Sequence, residues 1–307
     1  MRGRRGVPIA VAIASSTATE FDLARAHKRA NSQGNLSPSL SDNEGSRSGY
    51  VSAARLDSLR ASLSARDWAV VRDVARLRLV TGRQLERLHF TELSKTSGPV
   101  VRRRVLGRLT KERVLQTLER RIGGVRAGSA GLVFALDAAG VRLMAEDGRP
   151  GRPNLPGERY LRHVLAVSQL YVDLLERARE RELRLDVFQA EPASWWRDGR
   201  GGWLKPDGYA HVSNKEHTDH WWIECDLDTE HLPTLRRKFM TYLDFYHQGQ
   251  LGPQGIMPWV LITVPDAKRY SDIVRLISQL PSQADQLFTV VIHNDAAEVI
   301  VGRLSQS

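Results

Sequence analysis

The sequence predicts an α+β protein with an α/β portion, in which a helical N-terminal unit precedes a mixed β-sheet. Three observations lead to this prediction. Apolar residues recur at helical spacing over residues 68–79 and 161–175. Two apolar segments, 114–118 and 132–136, flank a glycine-rich loop that is typical of a hairpin. Beyond residue 185, short strand-like segments alternate with helical ones.

The N-terminal unit begins with a helix that Ser64 caps, and Asp67 completes a capping box. A second helix follows Thr81 as its N-cap, and a third is expected over 100–114, after the breakers Thr-Ser-Gly-Pro. The hairpin and a short helix over 138–145 complete the unit. Three helices followed by a hairpin are the element order of a winged helix-turn-helix domain, whose third helix enters the DNA major groove.

Positive charge is concentrated in this unit. Residues 51–150 hold 20 Lys and Arg against 10 Asp and Glu, in a chain whose net charge is +10. A local basic excess indicates a polyanionic partner. The predicted contacts to double-stranded DNA are Arg103, Arg104, Arg108 and Lys111 on the third helix, with Arg121 and Arg126 in the loop of the hairpin, the wing. A protein-interaction surface and a solvated basic face are the alternatives.

The C-terminal unit has the predicted order αβββαβαβ, from a long helix over 159–182 to a last strand at 298–301. A meander followed by helix crossovers predicts a mixed sheet flanked by helices. His163 on the long helix is interpreted first as a core residue and second as a site residue. The predicted division of the chain is a disordered basic tail at 1–62, the winged helix at 63–146, a Pro/Gly-rich linker at 147–158 and the sheet domain at 159–303.

Cysteine usage and hydropathy point to a cytoplasmic protein. Cys225 is the single cysteine, which excludes an internal disulfide and fits a reducing compartment. No apolar run approaches the roughly 20 residues that a membrane span needs, so no membrane association is expected. The first 16 residues imitate a signal peptide only weakly.

Acidic residues stand at the ends of two predicted strands. Asp207 heads the second strand after a Lys-Pro pair, Glu224 and Asp226 end the third, and Lys238 lies on the next helix. Hard carboxylate oxygens suit Mg²⁺ or Mn²⁺, so these three acids are candidate metal ligands. Together with Lys238 they are candidate catalytic residues for phosphodiester cleavage. The alternative is structural, because Asp226 shortly precedes a helix that begins near Pro233 and can favour its dipole.

This order of acids resembles the PD-(D/E)XK nuclease superfamily. The resemblance implies that Asp207 and Glu224 hold one or two divalent ions, and that a lysine two residues after Glu224 helps to activate water. Asp226 stands in that lysine position here. Lys238 is the candidate for a lysine that has migrated to the next helix, and Glu191 could provide a further acid.

A longer series of motifs resembles the replication-relaxation family of plasmid and integrative-element proteins. The series comprises the winged helix over 64–145, Leu-Arg-His-Val-Leu-Ala-Val in the long helix, Gln189-Ala190-Glu191, Lys205-Pro206-Asp207, and the segment 223–230 leading to Lys238 and Tyr242. The resemblance implies a DNA-associated protein of plasmid replication or mobilisation, with a winged helix joined to a restriction-endonuclease-like domain.

Three functions are open at this point. The leading hypothesis is a cytoplasmic double-stranded DNA-binding protein of a mobile element, whose nuclease-like domain binds DNA ends, metal or a partner without fast cleavage. The second is a Mg²⁺- or Mn²⁺-dependent endonuclease, a nickase, that uses Asp207, Glu224, Asp226 and Lys238. The third is a protein-interaction or dimerisation module, forming a homodimer or joining plasmid replication proteins in a relaxosome-like assembly.

Overall fold

The computed structural model describes residues 51–94, 96–118, 131–145 and 158–305. The tail up to residue 50, the linker up to residue 157 and the wing arginines Arg121 and Arg126 lie outside the described residues. What the sequence predicts for these parts of the chain stays a prediction.

The N-terminal region, residues 51–145, consists of helices around a small sheet. Its helices are α1 (Ala53–Ser62), α2 (Ala65–Leu77), α3 (Gly82–His89), α4 (Ser97–Lys111) and α5 (Ala138–Met144), and its strands are β1 (Val80–Thr81), β2 (Leu115–Leu118) and β3 (Val133–Leu136). The strand order is β1-β3-β2, and both pairings are antiparallel. The hairpin predicted from the two apolar segments is thus present as β2 and β3.

Capping boxes account for the starts of α2 and α3. The backbone N–H of Ser64 donates to Asp67 at 2.8 Å, and the Ser64 hydroxyl accepts from the Asp67 N–H. Thr81 and Gln84 form the same reciprocal pair at the start of α3. Each box satisfies backbone donors that the first helical turn leaves unpaired. The helix starts predicted at Ser64 and Thr81 are confirmed.

The folded part of the chain begins earlier than the sequence indicates. α1 occupies residues that were assigned to the disordered tail at 1–62, and its Leu56 and Leu59 are buried. The Ser52 hydroxyl caps the helix by accepting from the Arg55 N–H at 3.2 Å. α1 packs against α5, which lies some 80 residues further along the chain. Because only two residues of α1 are buried, its sequence shows little of the apolar helical spacing that would predict a helix.

The C-terminal region, residues 158–305, is built on a five-stranded mixed sheet. Its helices are α6 (Glu158–Glu180), α7 (Leu232–His247), α8 (Ala267–Ser278), α9 (Ala284–Leu287) and α10 (Ala296–Ser305). Its strands are β4 (Arg184–Ala190), β5 (Trp196–Arg197), β6 (Trp203–Leu204), β7 (Gly208–Ser213), β8 (Thr218–Cys225), β9 (Trp259–Val264) and β10 (Phe288–Ile292). The main sheet has the order β10-β9-β8-β7-β4, and β5 pairs with β6 apart from it.

The pairing directions in the main sheet follow its connections. β4, β7 and β8 form an antiparallel meander, whereas β8, β9 and β10 are parallel. α7 connects β8 to β9, and α8 with α9 connects β9 to β10, since parallel strands need a crossover. The α+β class with a mixed sheet is therefore confirmed.

The last element of the chain differs from its prediction. Residues 298–301, expected as a strand, lie within α10. The buried residues of α10 are Ala296, Ala297, Ile300, Val301 and Leu304, which share one helical face. A short apolar run does not distinguish a buried strand from a buried helix, and here packing against α6 decides for the helix.

Helices cover both faces of the sheet. One face, with Trp221 and Ile223, packs against α6 and α10, while the other, with Trp222, packs against α7 and α8. Because both faces are covered, Trp221 and Trp222 are both fully buried. None of the helices in the described segments combines the length and apolar character that crossing a membrane requires.

α6 also anchors the N-terminal region. Arg87 of α3 donates to Glu176 at 2.9 Å and to Asp173 at 2.7 Å, and both acids are on α6. Gln84 donates to the Leu165 carbonyl on the same helix. One continuous apolar core extends from the N-terminal region across α6 to the sheet. The two regions predicted as separate domains thus share a core.

Candidate functional site

The exposed side of α4 carries most of the basic residues predicted to bind DNA. We define the α4 face by its six exposed residues at helical spacing: Val100, Arg103, Arg104, Gly107, Arg108 and Lys111. The opposite side of α4 buries Arg102, Leu106 and Leu109 in the region's core. The structure therefore brings together the four predicted basic residues of the third helix on one solvent-facing surface.

Three of these four basic side chains are available to a partner. Arg103, Arg104 and Lys111 form no ion pair with any residue in the described segments. Arg108 differs, since its guanidinium donates to Asp67 at 2.6 Å. Burial acts to raise the pKa of Asp67, but hydrogen bonds from Ser64 and Arg108 outweigh it and hold the pKa below its ordinary value. Arg108 thus also stabilises the start of α2.

A second group, the acid–lysine cluster, consists of Asp207, Glu224 and Lys238. β7 and β8 pair with Gly208 opposite Ile223, which sets Asp207 beside Glu224. The Asp207 N–H donates to the Ile223 carbonyl at 2.9 Å, and the Cys225 N–H donates to Asp207 Oδ2 at 2.7 Å. Lys238, two turns into α7, forms an ion pair with Glu224 Oε2. The acids and the lysine predicted from separate elements are therefore brought together.

Burial sets the charges in the acid–lysine cluster. Burial raises the pKa of Glu224 to about 8 even though Lys238 opposes the shift, so the negative charge of this carboxylate depends on a cation against it. The ammonium of Lys238 is that cation. Burial acts to lower the pKa of Lys238, but Glu224 and Asp207 raise it above its ordinary value. The acids therefore favour the protonated form of Lys238, which stabilises negative charge in the cluster.

Three further residues contact these acids or Glu191: Tyr242 from the family motif series, His163, whose second interpretation is a site residue, and Arg78, which the sequence does not indicate. The Tyr242 hydroxyl donates to Glu224 Oε1, and His163 Nε2 lies 3.1 Å from Asp207 Oδ1. Arg78, at the end of α2, lies 3.7 Å from Glu191 Oε1. Tyr242 follows Lys238 by four residues on the same helical face, in agreement with its place beside Lys238 in the motif series. Arg78 adopts a φ of 68°, which nothing in the sequence signals.

Glu191, the predicted additional acid, lies at the end of β4 beside this cluster. Burial, followed by repulsion from Asp207, raises its pKa to about 7. Arg78 and Lys238 oppose that shift. Glu191 and Glu224 are therefore two carboxyl groups of this site whose protonation can change near neutral pH.

Asp226 belongs to a different group of contacts. Its Oδ2 accepts from Arg269 Nε at 2.5 Å, and its backbone N–H donates to the Thr263 carbonyl. Arg269 also pairs with Asp228 at 3.0 Å and donates to the Glu230 carbonyl at 2.7 Å. This buried network ties the loop after β8 to the start of α8. In this arrangement Asp226 stabilises that loop through Arg269, a partner that no local sequence pattern indicates.

The acid–lysine cluster does not present a metal site in this arrangement. Nowhere in the described part of the chain do three His, Cys, Asp or Glu side chains form a group that could hold a metal ion. Both oxygens of Glu224 have protein partners, and so do both oxygens of Asp207. A divalent ion could bind these two acids only if the ammonium of Lys238 moved away from Glu224.

A cavity of about 610 Å³ opens beside the cluster. Its lining includes Asp207, Glu191 and Lys238 from the cluster and its surroundings, and Tyr160 and His163 from the start of α6. Trp195, Trp203 and Lys205 line it from the segment around β6, and Thr229, Glu230, Thr234 and Thr241 line it from the loop after β8 and from α7. The cluster is thus accessible from solvent through one aromatic and partly charged cavity.

Together, the fold and these sites define an α+β protein in which a basic helical region is joined to a mixed sheet that carries a buried acid–lysine cluster. The family model of replication-relaxation proteins matches residues 71–260, more than half of the chain, and the protein therefore belongs to the replication-relaxation family. This membership indicates a role in plasmid or mobile-element replication. No curated protein and no solved structure matched the chain.

Proposed function

We propose that this protein binds double-stranded DNA through α4 during replication or mobilisation of a plasmid or mobile element, in the cytoplasm. The order α2, α3, α4 and the β2–β3 hairpin is that of a winged helix, in which α4 would be the recognition helix. The wing residues Arg121 and Arg126 are proposed to add contacts to the DNA backbone. Family membership supports the biological context.

The observation that favours DNA binding most is the set of free cations on the α4 face. Arg103, Arg104 and Lys111 are exposed and have no ion-pair partner among the described residues, so no internal pair has to break before they meet a phosphate. A Cβ added at Gly107 would meet no atom within 4 Å, so the middle of the face is open to a close approach. Each phosphate that a cation neutralises releases counterions from DNA.

A salt titration tests this proposal. The Arg103→Ala/Arg104→Ala double variant should weaken duplex binding about tenfold or more at moderate salt, and should reduce the slope of log affinity against log salt by about 2. The matched control is Lys268→Ala/Arg275→Ala, which removes the same charge from exposed positions on α8. Equal salt slopes for the two double variants would exclude α4 as the DNA-binding helix.

The endonuclease alternative has one observation in its favour, the convergence of Asp207, Glu224 and Lys238 beside an open cavity. It requires that Mg²⁺ or Mn²⁺ displace Lys238 from Glu224. Incubation of supercoiled plasmid with Mn²⁺ tests it: nicking that Glu224→Gln abolishes, with duplex binding retained, would support cleavage. Nicking that survives this substitution would come from another site or another protein. Dimerisation or relaxosome assembly stays a prediction.

A further inference from the structure

The cavity beside the acid–lysine cluster has an aromatic and cationic end that duplex binding by α4 does not use. Trp203 and Lys205 come from β6 and the residue following it, and Trp195 comes from the turn that precedes β5. Both indole rings are half-buried and line the cavity. We call this part, formed by Trp195, Trp203 and Lys205, the aromatic end of the cavity.

Each tryptophan of the aromatic end lies beside a positive charge. The ammonium of Lys205 lies 4.6 Å from the centroid of the Trp195 ring. The guanidinium of Arg197, which is opposite Trp203 in the β5–β6 pair, lies 3.9 Å from the centroid of the Trp203 ring. Proteins that bind single-stranded nucleic acid combine aromatic faces, on which bases stack, with cations that attract the backbone.

The other end of the cavity supplies charges that suit a phosphate group rather than a simple cation. Lys238 is protonated, lines the cavity and keeps its side chain partly exposed there. Most acids near Lys238 have a partner: Glu224 pairs with Lys238, Asp207 lies 3.1 Å from His163 Nε2, and Glu191 lies 3.7 Å from Arg78. Lys205, at the aromatic end, is exposed and adds a second ammonium to the cavity.

We propose that this cavity binds one unpaired nucleotide of a DNA strand, with its base stacked at the aromatic end and its phosphate near Lys205 and Lys238. The volume of about 610 Å³ lies in the range of sites for a single small ligand and is too small to enclose a duplex. An unpaired nucleotide enters such a site at little energetic cost because it has no base pair to break. The inference rests on DNA being the partner of this protein, but it requires neither α4 contacts nor cleavage.

Fluorescence anisotropy with matched DNA ends tests the proposal. Duplexes of one sequence are compared as blunt ends, with a three-nucleotide 3′ or 5′ extension, and with the same extensions made abasic. The wild-type protein should bind at least one extended duplex five- to tenfold more tightly than the blunt one, because base stacking adds affinity. The abasic extension should lose this preference, and equal binding of blunt and extended duplexes would overturn the proposal.

Two variants test whether the preference for extended duplexes arises in this cavity. Trp203→Ala removes an aromatic face, and Thr234→Trp adds bulk at an exposed position of the lining. Both should abolish the preference for extended duplexes and leave the blunt-duplex affinity within twofold. Tyr270→Ala, an exposed aromatic on α8 outside the cavity, should retain the preference. If Thr234→Trp folds and keeps the preference, the cavity does not bind the nucleotide.

The outcomes separate this inference from the proposed function. If Arg103→Ala/Arg104→Ala weakens all duplexes equally and no extension preference exists, the α4 proposal stands and the cavity inference fails. If the preference exists and depends on Trp203 while the α4 variant binds normally, the cavity inference stands and the α4 proposal fails. Free deoxynucleoside monophosphate that quenches tryptophan fluorescence, without any extension preference, would also overturn the assignment to a DNA strand.

Discussion

The α4 face and the acid–lysine cluster both contain basic side chains, but in opposite surroundings. On the α4 face, Arg103, Arg104 and Lys111 are exposed and have no described acidic partner. In the cluster, Lys238 pairs with Glu224 and lies near Asp207; both carboxylates are buried, and burial raises the pKa of Glu224. Salt screens exposed charges strongly and buried pairs much less. The α4 face therefore suits reversible binding of a polyanion, whereas the ion pair of the acid–lysine cluster holds its side chains in one arrangement.

Replacing a buried arginine should have the largest effect on stability, and it tests most directly the difference between buried and exposed cations. Arg269→Met leaves Asp226 buried without its partner, which should lower the free energy of unfolding by about 3–5 kcal/mol. Urea unfolding measures the loss. The matched control is Lys268→Met, because this adjacent side chain is 85% exposed and should change stability by less than about 0.5 kcal/mol. Similar losses in both variants would contradict the distinction between buried and exposed cations.

Removal of Lys238 should lower the free energy of unfolding by less than removal of Arg269, because Glu224 can take up a proton when its cation is missing. Lys238→Met should lower the free energy of unfolding by about 2–3 kcal/mol at neutral pH. The pKa of Glu224 is already raised in the folded state, so the folded protein favours the protonated carboxyl group. In the variant without the lysine, the folded protein therefore loses stability as rising pH removes the proton from Glu224. The deficit should therefore be larger at pH 9 than at pH 6, as thermal unfolding can show.

Glu224→Gln added to Lys238→Met should recover most of this loss, because it removes the unpaired charge. A deficit that does not vary with pH, or that the second substitution does not relieve, would show that Lys238 acts through packing of its side chain instead.

Glu191 provides a pH test at the edge of the cluster. Its pKa rises from 4.5 to about 7 on folding, so the folded state binds the proton more tightly. Stability from this group is present below about pH 4.5 and is lost as pH rises through 7. Glu191→Gln should therefore be more stable than wild type at pH 8, by on the order of 2 kcal/mol, and similar at pH 4.

Chemical denaturation at both pH values measures this difference. Glu216→Gln, at an exposed position, is the control and should follow the wild type at both. A Glu191→Gln variant that matches the wild type at pH 8 would mean that Arg78 compensates the carboxylate fully.

The smallest expected effects distinguish two basic residues within the α4 face. Arg108→Ala should destabilise the fold by about 1 kcal/mol, because Asp67 is buried and loses a partner. Lys111→Ala should leave stability within about 0.5 kcal/mol but reduce the salt slope of duplex binding by about 0.9. Unfolding curves and salt titrations of the two variants test this. A loss of stability in Lys111→Ala and a smaller salt slope alone in Arg108→Ala would contradict these assignments.

Features that depend on neighbouring residues could be predicted from the sequence. Ser64 with Asp67, and Thr81 with Gln84, define helix starts because a capping box uses only residues within one turn. The strands around Asp207 and Glu224 were predicted for a similar reason, since apolar runs bounded by turns mark strands. The replication-relaxation resemblance, which rests on an ordered series of such motifs, is confirmed by the family match.

Features that depend on distant partners were missed or misassigned. α1 packs against α5 and α10 packs against α6, and from its own residues the sequence predicts a tail in place of the first and a strand in place of the second. Asp226, a candidate metal ligand with a structural alternative, pairs with Arg269, which lies 43 residues away in the sequence. No local pattern encodes that pairing, because it depends on how α8 packs beside the end of β8.

The sequence by itself determined the element order between its first and last elements, the basic third helix and the acids at the strand ends, because helix period, capping and strand alternation are set by near neighbours. Only the tertiary structure decided what those charges do. It left Arg103, Arg104 and Lys111 in solvent, paired Lys238 with Glu224, and turned Asp226 to Arg269. The physical reason is that the free energy of a charge depends on its burial and its partners, and packing of distant segments supplies both.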